Sequence, residues 1–297
     1  MQFTVTAKEL FAALARLDEV TQDFDTKSIY SHATYLMLRV RQGVLTLKVS
    51  DELSTFSVTL QVAEQLCRTP RTLQVEREAL REALQNFTPA ELLLFSTEET
   101  RWRRYREHEH NLVEDHYDYE PDLYLVSQSY RCTLKYLYDE PPPAYEFEHE
   151  EICQRLSLSA RTLRALLQYA VCCTAPHDYR DFLSGPQLKL LREQPQTLLC
   201  TASDGYKVAA LEAQLCAPSD SQYDLECILR PRTVQQLLQL LGGESEEELL
   251  MEFSSYKCRI GVAGCTLKSS FIRRAIPDRR RIIPGKKRRA YRKSPGI

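Results

Sequence analysis

Two stretches of this sequence hold residue types that do chemistry. In "TLLCTASDGYKVAALEA" (197–213), Ser203, Asp204 and Gly205 stand between runs of small and apolar residues. An acid beside a hydroxyl is raw material for catalysis, but Asp-Gly is also a common hairpin turn, because Gly supplies the positive φ such turns need. Leu198 and Leu199 before it, with Val208 and Leu211 after it, predict strand, turn, strand. In "RWRRYREHEHNLVEDH" (101–116), His108, His110, His116, Glu107, Glu109, Glu114 and Asp115 form the donor set of a metal-dependent nuclease. Their spacing fits no metal motif, so an exposed polar loop is expected there, and no bound metal. Its Arg101, Trp102, Arg103, Arg104, Tyr105 and Arg106 have the makings of a nucleic-acid contact.

The elements that position these residues come in pairs. "FTVTAKELFAALARL" (3–17) aligns without gaps on "LSLSARTLRALLQYA" (156–170), 153 residues later. Each copy predicts a strand followed by a helix, with Thr6 and Ser159 as N-caps. At the same offset, Ser50-Asp51 falls on Ser203-Asp204. A second helix follows in each half, "VEREALREAL" (75–84) against "LRPRTVQQLL" (229–238), with Pro231 suited to its first turn and Gly242-Gly243 to its end. Between the helices, "TYLMLRV", "VLTLKVS", "FSVTLQV", "QLKLL" and "LMEFSS" alternate with the period of half-buried strands. Each half therefore reads as a sheet-rich unit with two helices on one face. The link is expected near "YDEPPPAYEFEHEE" (138–151), where three prolines and many acids oppose regular structure.

Helical spacing sets Leu10, Ala13, Leu14 and Leu17 inward, leaving Lys8, Ala12 and Ala15 opposite and Arg16 at the edge. Leu163, Leu166, Leu167 and Ala170 repeat that stripe, with Arg161 and Gln168 outward and Arg164 on the flank. In the last helix Arg232, Gln236 and Gln239 are expected to oppose Val234, Leu237, Leu238 and Leu241. These three outward faces are basic or neutral, with no acid directly opposite the core stripe. The remaining helix differs, with Glu78 and Glu82 opposite Leu80, Leu84 and Phe87.

A chain of 297 residues has room for two domains, and 43% hydrophobic with 27% charged residues describes a globular protein. Ten cysteines without CxxC spacing indicate no zinc site and, with no leader-like start and no run of about 18 apolar residues, an intracellular protein without membrane contact. The net charge of −2 conceals an asymmetry. Residues 273–293 hold eleven Lys or Arg and one acid, Asp278, which leaves 28 basic against 40 acidic residues elsewhere. A basic tail on an acidic body points to a polyanion partner.

Residues 1 to about 285 resemble the bacterial sliding clamp family, the beta subunit of the replicative DNA polymerase III. The likeness is carried by "MQFTV", "DYRDFLSG" (178–185), "TASDGYKVAALEA" (201–213), and "LRPRTVQQLLQLLGG" (229–243) leading to "IPDRRRIIPGKK" (276–287). It implies an α+β fold of two tandem clamp-type (processivity-fold) domains, clamp domain 1 over 1–145 and clamp domain 2 over 146–285, then a basic tail over 286–297. It also implies a non-enzymatic, cofactor-free processivity factor of DNA replication, cytoplasmic and nucleoid-associated, with helices lining a ring around double-stranded DNA.

The family has three domains per chain and closes as a dimer, whereas this sequence carries two, so a six-domain ring is expected to be a homotrimer closed head to tail. DNA polymerase and the clamp loader are implied as partners, bound through short peptide motifs. The second-domain half of their pocket carries over to Leu183, Ser203, Gly205, Tyr206, Lys207, Val208 and Pro284. The family usually has His-Arg-Leu where this chain has Tyr206-Lys207-Val208. DNA contacts carry over to His177 and Arg180, joined by Lys8, Arg161, Arg164 and Arg232 from the helix faces. Lys286, Lys287, Arg288 and Arg289 of the tail complete the set, gripping phosphates without reading bases. A different reading remains open, a clamp-like module that binds DNA or modulates a polymerase as a monomer and never closes.

Overall fold

In the computed structural model, residues 2–24, 33–66, 72–108, 111–138, 151–219, 224–242, 246–273 and 276 are described. Phe3 and Val5 alternate with polar neighbours, which makes β1 (Gln2–Thr6) a strand with one buried face. It runs directly into α1 (Ala7–Val20). Thr6 caps that helix: its hydroxyl accepts the Glu9 N–H at 3.2 Å while the Glu9 carboxylate accepts the Thr6 N–H, a reciprocal capping box.

Strands β2 (Tyr35–Arg41), β3 (Val44–Ser50), β4 (Ser54–Gln61), β5 (Ala63–Leu66) and β6 (Thr72–Glu76) follow, then α2 (Arg77–Leu84). Strands β7 (Leu92–His108), β8 (Asn111–Val126) and β9 (Arg131–Tyr138) complete the first half. Antiparallel pairing runs in the order β5–β1–β7–β8–β9–β6–β2–β3–β4. Phe3 and Phe95, opposite each other in this sheet, stack at 4.7 Å. Asp18 of α1 receives Arg77 and Arg81 of α2, which ties the helices together.

The second half repeats the plan. Strand β10 (Gln154–Ser159) enters α3 (Ala160–Val171), whose N-cap Ser159 accepts the Thr162 N–H. Then come β11 (Gln187–Leu190), β12 (Thr197–Ser203), β13 (Val208–Gln214), β14 (Leu225–Leu229), α4 (Pro231–Leu240), β15 (Glu248–Phe253), β16 (Lys257–Val262) and β17 (Cys265–Ile272). Pairings β10–β15–β16 and β17–β14–β11–β12–β13 match β1–β7–β8 and β9–β6–β2–β3–β4 strand for strand. The chain divides into two compact units, Met1–Glu146 with Gly264–Leu267, and Phe147–Ala263 with Lys268–Ile297.

Two sequence expectations are corrected. Gln236 does not face outward; it is fully buried, because α4 packs against α3 as well as the sheet and so buries a wider arc than one stripe. Nor is 101–116 a loop. Its backbone belongs to the β7–β8 hairpin, paired from Leu94↔Val126 to His108↔Asn111, while Glu109 and His110 lie outside the described residues. Two strands that satisfy each other's backbone groups need no apolar alternation, so the usual strand signal is missing there.

Candidate functional site

The Asp-Gly segment joins β12 to β13 as a four-residue turn, Asp204–Lys207. The Asp204 carboxylate accepts the backbone N–H groups of Tyr206 at 2.8 Å and Lys207 at 2.6 Å. Those two bonds hold its pKa below the ordinary carboxylate value, so it is a fixed structural anion. Its repeat mate does the same work: Asp51 accepts the N–H groups of Leu53 at 3.0 Å and Ser54 at 2.8 Å. The repeated Ser-Asp pair is therefore turn scaffold in both units.

Only the second copy adds Gly205, at φ +91°, a conformation favouring glycine. Ser203 is buried, accepts the Gly205 N–H at 3.1 Å and donates to the Lys207 carbonyl at 2.9 Å. The bare Cα of Gly205 leaves space for two neighbours. A Cβ there would stand 3.3 Å from Nη2 of Arg180 and 3.7 Å from Cδ1 of Leu183.

Arg180 and Leu183 arrive on the segment leading through a 3-10 turn, Asp181–Leu183, whose Leu183 is buried. Arg180 donates its main-chain N–H to Asp178 at 2.8 Å and clasps the same carboxylate with Nε at 2.9 Å and Nη2 at 2.8 Å. Its guanidinium also lies 5.6 Å from the centre of the Tyr179 ring. Tyr179 and Tyr206 are 89% and 96% exposed, so two aromatic rings project beside this apolar step. Exposed rings on rigid backbone are contact surface for a partner.

The structure thus brings together the buried Leu183 and Ser203, the exposed Gly205, Tyr206 and Lys207 and the half-buried Val208, and adds Arg180 to them. Asp178 and Tyr179 were missed by the sequence reading. The signal was an acid and an arginine two residues apart around an aromatic ring. Pro284, Lys286, Lys287, Arg288 and Arg289 lie outside the described residues.

The Asp178 carboxyl is held down to about 2, first by the hydrogen bonds from Arg180. A depressed pKa means that the clasp stabilises above the ordinary value of 3.8 and is lost as pH falls toward 2. An NMR titration is expected to place the midpoint near 2, and Arg180→Gln to return it toward 3.8. An unmoved midpoint would mean that the clasp does not form in solution.

On the helices, Lys8 is exposed on α1, and Arg161 is exposed on α3 with Glu246 2.7 Å away. Arg164 and Arg232 are half-buried on the adjacent α3 and α4, and His177 is exposed beyond α3. The described helices include none long and apolar enough to cross a membrane.

No family model matches the chain, and no curated protein matches it. Solved structures do. The DNA polymerase III subunit beta of Pseudomonas aeruginosa matches with a TM-score of 0.72 at 20% identity, over 96% of this chain and 69% of that one. A Helicobacter pylori beta clamp bound to a DNA ligase peptide matches with a TM-score of 0.71 at 16% identity, over 96% and 70%. A Bartonella birtlesii sliding clamp bound to griselimycin matches with a TM-score of 0.69 at 19% identity, over 96% and 68%. The chain therefore has the fold of the bacterial sliding clamps, in the tandem α+β form expected from its sequence.

Proposed function

We propose that this chain, which has the sliding-clamp fold, is a member of the bacterial polymerase III beta family and works as a DNA sliding clamp. It encircles duplex DNA and tethers polymerase and other partners without catalysing a reaction. The observation that carries this reading is the twofold repeat of one strand-and-helix unit, matched to clamp structures over 96% of the chain. Clamps act by topology, so a fold match bears on function more directly here than for an enzyme, whose chemistry lives in a few side chains.

With two units per 297 residues, three copies supply six domains. A head-to-tail interface closes them, and β13 offers one edge for it: among the described residues β13 pairs with β12 alone. The helix cations Lys8, Arg161, Arg164 and Arg232 face DNA phosphates, with His177 beside them. The basic tail adds non-specific grip through Lys286, Lys287, Arg288 and Arg289. The surface around Gly205 is one wall of the partner-peptide pocket, joined by Pro284, in keeping with the ligase peptide on the Helicobacter pylori relative. In this assignment Arg180 serves the pocket, because Asp178 already neutralises its charge.

Mass in solution and DNA topology test the reading together. A species near three times 34.4 kDa is expected, retained on circular DNA and lost when the circle is cut. A strict monomer at high concentration would overturn the trimer and favour the open, clamp-like module. Equal retention on linear and circular DNA would overturn encirclement.

A further inference from the structure

Strand β4 has β3 on one side. Its other edge is filled, because the first unit includes one piece from far along the chain, Gly264–Leu267. There the Gly264 carbonyl accepts the Thr59 N–H at 3.0 Å and the Thr59 hydroxyl at 2.9 Å, while Cys265 meets the Arg16 side chain of α1. Val58 of that strand is buried. The repeat sets β13 and α3 in the second unit where β4 and α1 stand in the first. Leu211, Glu212 and Tyr169 follow Val58, Thr59 and Arg16 by 153 residues, and Leu199↔Glu212 pairs in the phase of Thr46↔Thr59. Here, among the described residues, β13 pairs with β12 alone. A groove of about 490 Å³ lies between α3 and β13, lined by Ala165, Leu166, Tyr169, Leu211 and Glu212 among others. Leu211 is half-buried, and Tyr169 is 69% exposed.

Strand register identifies the counterpart of the filling piece. Phe3↔Phe95 and Phe95↔Leu125 in the first unit match Leu156↔Met251 and Met251↔Ile260 in the second, so Leu125 corresponds to Ile260, 135 residues on. The next strand keeps that offset, since Tyr136 faces Val75 as Phe271 faces Leu229. It carries Gly264 and Cys265 onto Ser129 and Tyr130, in the turn that joins β8 to β9. This turn is braced by its own side chains. The Ser127 hydroxyl oxygen accepts the N–H groups of Ser129 and Tyr130, each at 3.1 Å, and Glu91 accepts the hydroxyls of Ser127 and Ser129. Tyr130 is 42% exposed and rests edge-on against Phe87, ring centres 5.3 Å apart. A tip already held in one conformation loses little freedom on docking.

We propose that the Ser129–Tyr130 tip of one copy seats in the α3–β13 groove of the next, with Tyr130 against Tyr169 and Leu211, and Ser129 beside Glu212. The occupant is a second copy of this chain because the matching groove of the first unit already holds the matching turn. The inference rests on the self-association proposed above and names both faces of its joint. Each copy carries one tip and one groove, so the contact is heterologous, and a closed ring leaves neither face bare.

Cross-linking in the full chain tests the joint. A Cβ on Gly264 would stand 3.3 Å from the Thr59 hydroxyl oxygen, so cysteines at the corresponding positions come within disulfide reach. The Ser129→Cys/Glu212→Cys variant is oxidised, its bridges are mapped by mass spectrometry after non-reducing digestion, and its chains are counted on a denaturing gel. A bridge between positions 129 and 212 that joins different chains is expected. Tyr169→Asp, on the exposed face of α3, is expected to raise the concentration for half-assembly at least about tenfold. Mixed with Tyr130→Asp protein it is expected to stop at two chains, because one intact tip and one intact groove remain. A three-chain species without the 129–212 bridge, or with that bridge inside single chains, overturns this joint and leaves the ring standing. A monomeric unsubstituted protein at high concentration overturns the ring, and this joint with it.

Discussion

Gly185→Ala is expected to lower the melting temperature of the second unit by roughly 10 °C, the equivalent of about 3 kcal/mol. A Cβ on Gly185 would sit 1.9 Å from the carbonyl oxygen of Leu229 and 3.1 Å from its carbon. That obstacle is backbone. No rotamer change relieves it, so the strands must part where the Leu229 N–H donates to the Pro186 carbonyl at 2.9 Å. Leu229 also precedes α4 and pairs with Phe271 of β17, so the displacement spreads to helix and sheet. Thermal unfolding followed by circular dichroism checks it, with Gly242→Ala as comparison. There the new Cβ meets a single carbonyl, that of Gln239, at 3.1 Å, a contact a small shift relieves. Equal melting temperatures for the two variants would refute the close approach.

Gly205→Val is expected to weaken binding of a labelled DNA ligase-type clamp peptide at least about tenfold, or about 1.4 kcal/mol, while changing the melting temperature little. Two effects combine. At φ +91° a β-branched residue is strained, and its side chain must push against Arg180 and Leu183. The turn is exposed at Gly205 and Tyr206, so the damage stays local and falls on the surface proposed to bind the peptide. Fluorescence anisotropy measures it. Unchanged affinity would remove the turn from the pocket and leave the fold assignment untouched.

Much of the architecture was legible because the responsible interactions are local or repeated. The capping hydroxyls of Thr6 and Ser159 act within three residues, and the stripes of α1 and α3 follow from helical geometry alone. The twin at Ser50-Asp51 marked the turn as scaffold, and in both copies the Asp accepts two N–H groups of its own turn. The site was legible as far as its motif residues reach. Asp178 escaped notice because its importance lies in where Arg180 points, and Tyr179 because exposure cannot be read from type.

By itself the sequence determined what depends on neighbours along the chain: the repeat, its strand and helix order, the caps, and an Asp-anchored turn with a glycine in one copy only. The tertiary structure alone decided what depends on distant segments meeting. It set Gly185 against Leu229, laid Arg180 beside Gly205, enclosed Gln236 between helix and sheet, and paired the polar stretch after Thr100 into a hairpin. The division follows from reach. Hydrogen bonds and side-chain contacts act over a few ångströms, so a partner three residues away is written in the motif, whereas one forty residues away appears only when the sheet brings it there.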